Sequence, residues 1–215
     1  MFESKSGVLL IGGLGFFLLA FVSNALVPIL MYQELPEQQL AELTNPNLMY
    51  QFEDLQVRFP ESFQKYYGEA TKEKCAEALA LGHRVYVAEG CWHCHSQFVR
   101  PVSNESLRFG PVSETEEYQN ELQRPVLFGT RRVGPDLSRE GGRRSNDWHA
   151  VHFFQPASLS PRSPMPEYPW FYDGDADHPN ERGLALMTYV QWLGSWLESY
   201  PYYEDYQPVR LVESK

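Results

Sequence analysis

A mainly α-helical chain is predicted, with one N-terminal helix able to cross a membrane and a small helical domain with long loops behind it. Three observations predict it. Residues 6–33 carry no charged side chain. Two later stretches, 69–89 and 182–197, repeat apolar residues at three- and four-residue steps. The 16 Pro and 15 Gly among 215 residues require long irregular connections. With 28 Asp and Glu against 18 Lys and Arg the net charge is −10, which argues against a nucleic-acid partner; it suits a basic protein partner or simply solubility.

The first element is the anchor, residues 1–32. Its core, 8–30, reads VLLIGGLGFFLLAFVSNALVPIL and at 1.5 Å per residue is long enough for a hydrocarbon layer of about 30 Å. A cleaved signal peptide is the alternative, because Ser23-Asn24-Ala25 loosely resembles a cleavage site, but its apolar region would be shorter. Lys5 precedes the span, and no Lys or Arg follows until Arg58. The positive-inside rule therefore places the N-terminus in the cytoplasm and the remainder outside it, the periplasm of a bacterium.

Residues 33–68, acidic and punctuated by Pro36, Pro46 and Pro60, read as a linker with short helical pieces around 37–43. A helix is expected over 69–89, with Ala76, Leu79, Val85 and Tyr86 on one side and Gly82 marking a close backbone approach. It carries Cys75, read as a semi-buried free thiol with an intermolecular bridge as the alternative.

That helix runs into Cys91-Trp92-His93-Cys94-His95, a C-x-x-C-H pentapeptide and the attachment signature of a covalent c-type haem. One helical turn lets two thiols add to vinyl groups on one porphyrin edge while the next imidazole reaches the iron. A redox dithiol would need a thioredoxin-like context, and a zinc site a second ligand pair; neither is visible in the sequence. His95 is then the proximal ligand, and Cys91 and Cys94 are consumed as thioethers. A class I cytochrome c-like domain over 69–200, with long loops around the haem, fits the rest.

Residues 97–147 are expected to be a mostly irregular excursion over the haem, and the acidic stretch around Glu114, Glu116, Glu117 and Glu121 a solvated loop, with a docking patch as the alternative. Within it, Gly134-Pro135-Asp136-Leu137 resembles the turn whose proline carbonyl accepts the proximal histidine's Nδ1 proton. Arg100, Arg131 and Arg132 are candidates to pair with haem propionates, and Trp148 to donate its indole N–H; a surface arginine or a packed tryptophan is the alternative at each. His149 and His152 read as structural or interfacial.

For the sixth ligand, His83, His149, His152, His178 and any methionine are in principle available. Met1 and Met31 lie at the membrane, Met49 in the linker and Met187 on the last helix. Met165, in Ser163-Pro164-Met165-Pro166, sits in a stretch stiffened from both sides and is the expected ligand. Histidine–methionine ligation raises the reduction potential and fills both axial sites, which favours electron transfer over substrate chemistry. The closing helix, 182–197, puts Leu186, Val190, Leu193 and Leu197 on one face. Gly82 and Tyr86 against Tyr189 and Leu193 would form the crossing of two helices found in small c-type cytochromes. Residues 201–215 read as a tail, aromatic from Tyr200 to Tyr206.

Taken together, 82–101 (GHRVYVAEGCWHCHSQFVRP), 134–152 (GPDLSREGGRRSNDWHAVH) and 165–170 (MPEYPW) resemble, in the right order, the membrane-anchored mono-haem cytochrome c subunit (subunit II) of cbb3-type haem-copper oxidases. The likeness covers about 76–197 plus the anchor. It implies a single low-spin haem c, and a non-catalytic relay taking electrons from a di-haem or soluble cytochrome c and passing them to the haem-copper catalytic subunit, where oxygen is reduced. It also implies that Ser96, Gln97 and Arg100 face that subunit. The linker, Cys75, the insertion around Glu116 and the tail depart from the pattern. Two other functions fit an anchored haem c: a subunit of a nitric oxide reductase or other quinol-linked complex, and a haem enzyme or gas sensor with a displaceable sixth ligand.

Overall fold

A computed structural model describes residues 4–197 and is helical, with isolated bridges and no strand among the described residues. The aromatic tail expected from Tyr200 onward lies outside them. Two compact units divide the chain, one ending at Glu37 and the other beginning at Gln38.

In the first unit, α1 (Lys5–Phe21), a wider π-helical turn (Val22–Leu26) and α2 (Val27–Tyr32) form one apolar run of 28 residues. That is about 42 Å of helix, enough to cross a membrane. Ser4 caps its start by accepting from the Gly7 amide at 3.0 Å. Pro28 lacks an N–H, and the widened turn lies just ahead of it. Ser23 Oγ donates to the Leu19 carbonyl at 2.8 Å and Asn24 Nδ2 to the Ala20 carbonyl at 2.9 Å, so both polar side chains are bonded within the helix.

In the second unit the segment expected to be a linker is folded. Helix α3 (Pro46–Arg58) is capped by Asn45, which accepts from Leu48 N at 2.9 Å, and α4 (Pro60–Tyr66) follows after Phe59. Pro46 and Pro60 stand in the first turn, where a missing N–H costs nothing, so they start helices instead of interrupting a coil. Leu48, Phe52 and Leu55 recur at helical spacing and are buried with Phe59 and Phe63. The rings of Phe52 and Phe63 meet edge to face at 4.9 Å, and both pack on Tyr67.

Helix α5 (Lys72–Ala88) is capped by Thr71 and buries Cys75, Ala78, Leu79, Gly82, Val85 and Tyr86. Cys75 is fully buried, not semi-buried, and burial pushes its thiol up to about 12. A turn at Gly90 leads to α6 (Cys91–Cys94), and a largely irregular excursion follows, broken by α7 (Glu105–Phe109) and short 3₁₀ turns. The acidic stretch is not merely solvated: Glu117 receives both terminal nitrogens of the buried Arg139, at 2.5 and 2.7 Å. Then come α8 (Asn146–Phe154), α9 (Pro156–Leu159) and α10 (Glu181–Trp192).

Helix α10 is buried on every face from 183 to 192. It stops five residues earlier than expected, because Leu193 leaves the helical conformation and Gly194 takes a left-handed one at φ 84°. Its crossing with α5 lies where the pattern placed it. A Cβ on Gly82 would sit 1.9 Å from the Ala185 carbonyl oxygen and 2.7 Å from Tyr189 Cβ, while the rings of Tyr86 and Tyr189 pack at 5.1 Å. Gly82→Ala should therefore destabilise the domain by about 1–3 kcal/mol, the overpacking cost exceeding alanine's helix preference. Urea denaturation checks this, and an unchanged midpoint would show that the two backbones can separate freely.

Candidate haem site

The pentapeptide occupies the turn α6, which the Gly90 turn sets off from α5. The His95 amide donates to the Cys91 carbonyl at 3.0 Å, and His95 itself is extended. Its ring is fixed from the facing loop: Nδ1 lies 2.9 Å from the Pro135 carbonyl oxygen. Only a protonated Nδ1 makes that bond, so Nε2 keeps its lone pair, the state a metal-ligating imidazole needs. Burial pushes the ring below its ordinary value, against the opposing pull of Pro135 and Asp136. Gly134 permits the contact, since a Cβ there would fall 2.4 Å from His95 Cε1.

Backbone and side-chain bonds staple this loop to the motif. The amides of Val133 and Gly134 both donate to the Cys94 carbonyl at 2.9 Å, and Leu137 N donates to the Ser96 carbonyl at 2.8 Å. Asp136, buried, accepts from Ser96 Oγ at 2.5 Å, Phe98 N at 2.9 Å and Ser138 N at 2.9 Å. Arg132 donates to Ser96 and to the Phe98 carbonyl. The cost of burying the Asp136 carboxylate is offset by these donors.

A cavity of about 400 Å³ opens beside the motif, within the range of about 300–1,000 Å³ usual for small-molecule sites. Cys91, Cys94, His95, Gly134, Pro135, Trp148 and Met165 all line it. Its apolar wall comes from Tyr86, Leu137, Phe153, Phe171, Leu186 and Val190. The loop bearing Met165 is held at both ends: Met165 N donates to Ser163 Oγ at 3.2 Å, and Tyr168 N to the Phe153 carbonyl at 3.0 Å. Glu89, just before the motif, accepts from Trp170 Nε1 at 3.3 Å and pairs with Arg182.

The other candidate ligands divide cleanly. His149 and His152 line the cavity; His83, His178, Met49 and Met187 do not. His83 packs on Tyr189, His178 pairs with Asp175 at 2.6 Å, and Met187 is buried in α10. The expected propionate partners are also partly displaced. Arg100 and Arg132 are engaged by Glu105, and the exposed Arg131 is outside the lining. Glu140, Arg143, Arg144 and Arg162 stand in the wall instead. Glu140 is buried, and burial raises its carboxyl to about 7 against the pull of Arg143 and Arg144.

The residues present fit a haem. Two thiols and an imidazole with a free Nε2 line one cavity with a thioether, and the apolar lining suits a porphyrin. Buried polar atoms without a partner in the protein, both ring nitrogens of His149, remain for a polar group to meet.

The Glu105 carboxyl is held down to about 2, first by the hydrogen bond from Arg132, then by Arg100. Because folding lowers it, its stabilisation is complete above the ordinary value of 4.5 and is lost as pH falls toward about 2. Glu105→Gln should cost about 2–3 kcal/mol at pH 7. Its deficit relative to the native chain should close between those two values in urea titrations. A deficit constant across that window would exclude the ion pairs as its source.

A comparison with curated proteins finds no match. The family described as cytochrome c oxidase, mono-heme subunit/FixO, matches residues 38–197. The match begins at 38, so α3 and α4 lie within the family's pattern and are no departure from it. It takes in α3 through α10 and well over half of the sequence, and the chain belongs to the family of mono-haem subunits of cytochrome c oxidase.

Proposed function

We propose that this chain is the fixed electron relay of a terminal oxidase. It would accept electrons from a soluble or di-haem cytochrome c and deliver them to the haem-copper subunit that reduces oxygen. Membership of the family implies one haem and association with a terminal oxidase complex. The observation that carries the finer reading is the sharing of one cavity by the C-x-x-C-H turn, the Pro135-bound His95 and Met165.

A haem c, when bound, supplies one-electron ferric–ferrous chemistry. Cys91 and Cys94 would attach it through thioethers and His95 Nε2 would ligate its iron. Met165 would take the sixth position with a soft sulfur that favours the reduced state. Pro135 holds the imidazole proton at Nδ1, so the ring stays a neutral donor in one orientation. Proline on both sides of Met165 restricts its backbone, so little ordering cost remains when the sulfur is engaged. The apolar wall excludes water, which lowers the reorganisation that accompanies a change of charge.

The run from Lys5 to Tyr32 would anchor the domain in the cytoplasmic membrane. Lys5 would lie on the cytoplasmic side and the haem domain in the periplasm, following the absence of Lys and Arg from 33 to 57.

Removal of an outer-shell partner costs roughly 10–100-fold in activity at metal sites, and Met165→Ala should cost the assembled complex at least that in oxygen uptake. The isolated chain should lose the ferric sulfur–iron charge-transfer band and show a lower reduction potential. A spectrum and potential identical to the native chain would exclude Met165 as ligand. Purification of the complex from membranes should bring down a haem-copper catalytic subunit with this chain; its absence would overturn the relay.

A further inference from the structure

The charged part of the cavity's lining is opposite in sign to the chain. The protein carries a net charge of −10, yet three arginines, Arg143, Arg144 and Arg162, line the cavity against a single carboxylate, Glu140. Two of them belong to the turn before α8, and that turn is clamped. Gln191 of α10, fully buried, accepts from Gly142 N at 2.8 Å and donates to the Arg144 carbonyl at 2.9 Å and to Asn146 Oδ1 at 3.1 Å. Asn146, itself buried, donates to the Gln51 carbonyl at 3.0 Å and to Asp54 Oδ2 at 2.9 Å. The backbone carrying the two cations is therefore fixed from α10 and from α3.

His149 follows on the same helix. It is 1% exposed, lines the cavity, and has no partner for Nδ1 or Nε2 within the protein. A buried imidazole left without hydrogen bonds has given up its hydration for nothing in return. Trp148 packs beside it, edge on at 5.3 Å, and the Arg144 guanidinium lies over the Trp148 ring at 5.0 Å. An acceptor bearing negative charge, reached from within the cavity, would satisfy both the imidazole N–H and the arginine. A haem brings two carboxylates on the edge of its ring.

We propose that His149 and Arg144 bind the haem propionates, the role expected from the sequence for Arg100, Arg131 and Arg132. The assignment rests on the reading of the cavity as a haem site. A neutral His149 donates one N–H to a propionate oxygen, and Arg144 supplies charge from the clamped turn. Arg143, also in the lining, adds a second positive charge.

The full-length chain in detergent, matured with haem, tests this by resonance Raman spectroscopy of the propionate bending band and by potentiometric titration. His149→Phe should shift the band and lower the reduction potential, because the carboxylate loses a donor and its charge then disfavours the reduced iron. His149→Asn, which keeps a donor, should return both toward the native values. Arg144→Gln, at an exposed side chain, should lower the potential as well, and it decides the matter if His149→Phe does not mature. A band unmoved by the changes at His149 and Arg144, or moved instead by Arg131→Gln, would overturn the assignment. So would loss of the low-spin spectrum in His149→Phe, which would make His149 an axial ligand. A native chain without covalent haem in its alkaline pyridine spectrum would overturn the reading of the cavity itself, whereas the other outcomes leave that reading standing.

Discussion

The approach of two backbones at Gly82 is the constraint on which the rest of the domain depends. With hydrogen in place of a methyl group, the Ala185 carbonyl of α10 comes within contact of α5. That contact brings Tyr86 of α5 beside Leu186 and Val190 of α10 as one apolar wall. It also fixes the direction in which α5 delivers the chain to Gly90 and the C-x-x-C-H turn. Spreading the helices would move the wall and the motif together, because no flexible segment separates them.

A second layer of order depends on one buried carboxylate. Asp136 gathers donors from Ser96, Phe98 and Ser138, and so joins the residues after the motif to the residues after Pro135. The His95–Pro135 hydrogen bond then lies between two pinned backbones. An imidazole held this way cannot rotate without breaking its bond to Pro135, and the staples at Cys94 and Ser96 keep that carbonyl from following it, which is how a rigid ligand orientation is obtained from irregular loops. The Glu105 network with Arg100 and Arg132 reinforces the same corner from outside.

Local signals were legible in the sequence, and long-range ones were not. The apolar run to Tyr32, the period of α5 and the start of α10 follow from spacing alone. The gathering of Cys91, Cys94, His95, Pro135, Trp148 and Met165 at one cavity follows from motifs a few residues long. Helices α3 and α4 are hidden in the sequence because Pro46 and Pro60 look like breakers unless their place in the first turn is known. Their apolar positions, Leu48, Phe52, Leu55, Phe59 and Phe63, carried the missing signal. Which arginines line the cavity is a long-range matter of another kind. Arg144 lines the cavity and Arg131 does not; the turn of Arg144 is clamped by Gln191, a residue 47 positions away, and no local pattern announces such a clamp.

The helices that read as a linker in the sequence also bear on why the cavity can have charge in its lining. A domain that relied on its prosthetic group for most of its core would tolerate few buried charges around it. Here Phe52, Phe63 and Tyr67 form an aromatic cluster with Leu48 and Leu55 that belongs to the protein alone. Each fully buried side chain of this size contributes roughly 1.5–3 kcal/mol. Glu140 and His149 are buried and Arg143 is half-buried, each against its own preference: the carboxyl is pushed up, the guanidinium down, and the imidazole down to about 3. The stability these groups cost is offset by apolar packing elsewhere, the usual relation between a functional site and its scaffold. The helices before α5 thus serve the site twice: they stabilise a fold that can hold charge where a haem edge would need it, and Gln51 and Asp54 of α3 hold Asn146 beside the turn that carries the charge.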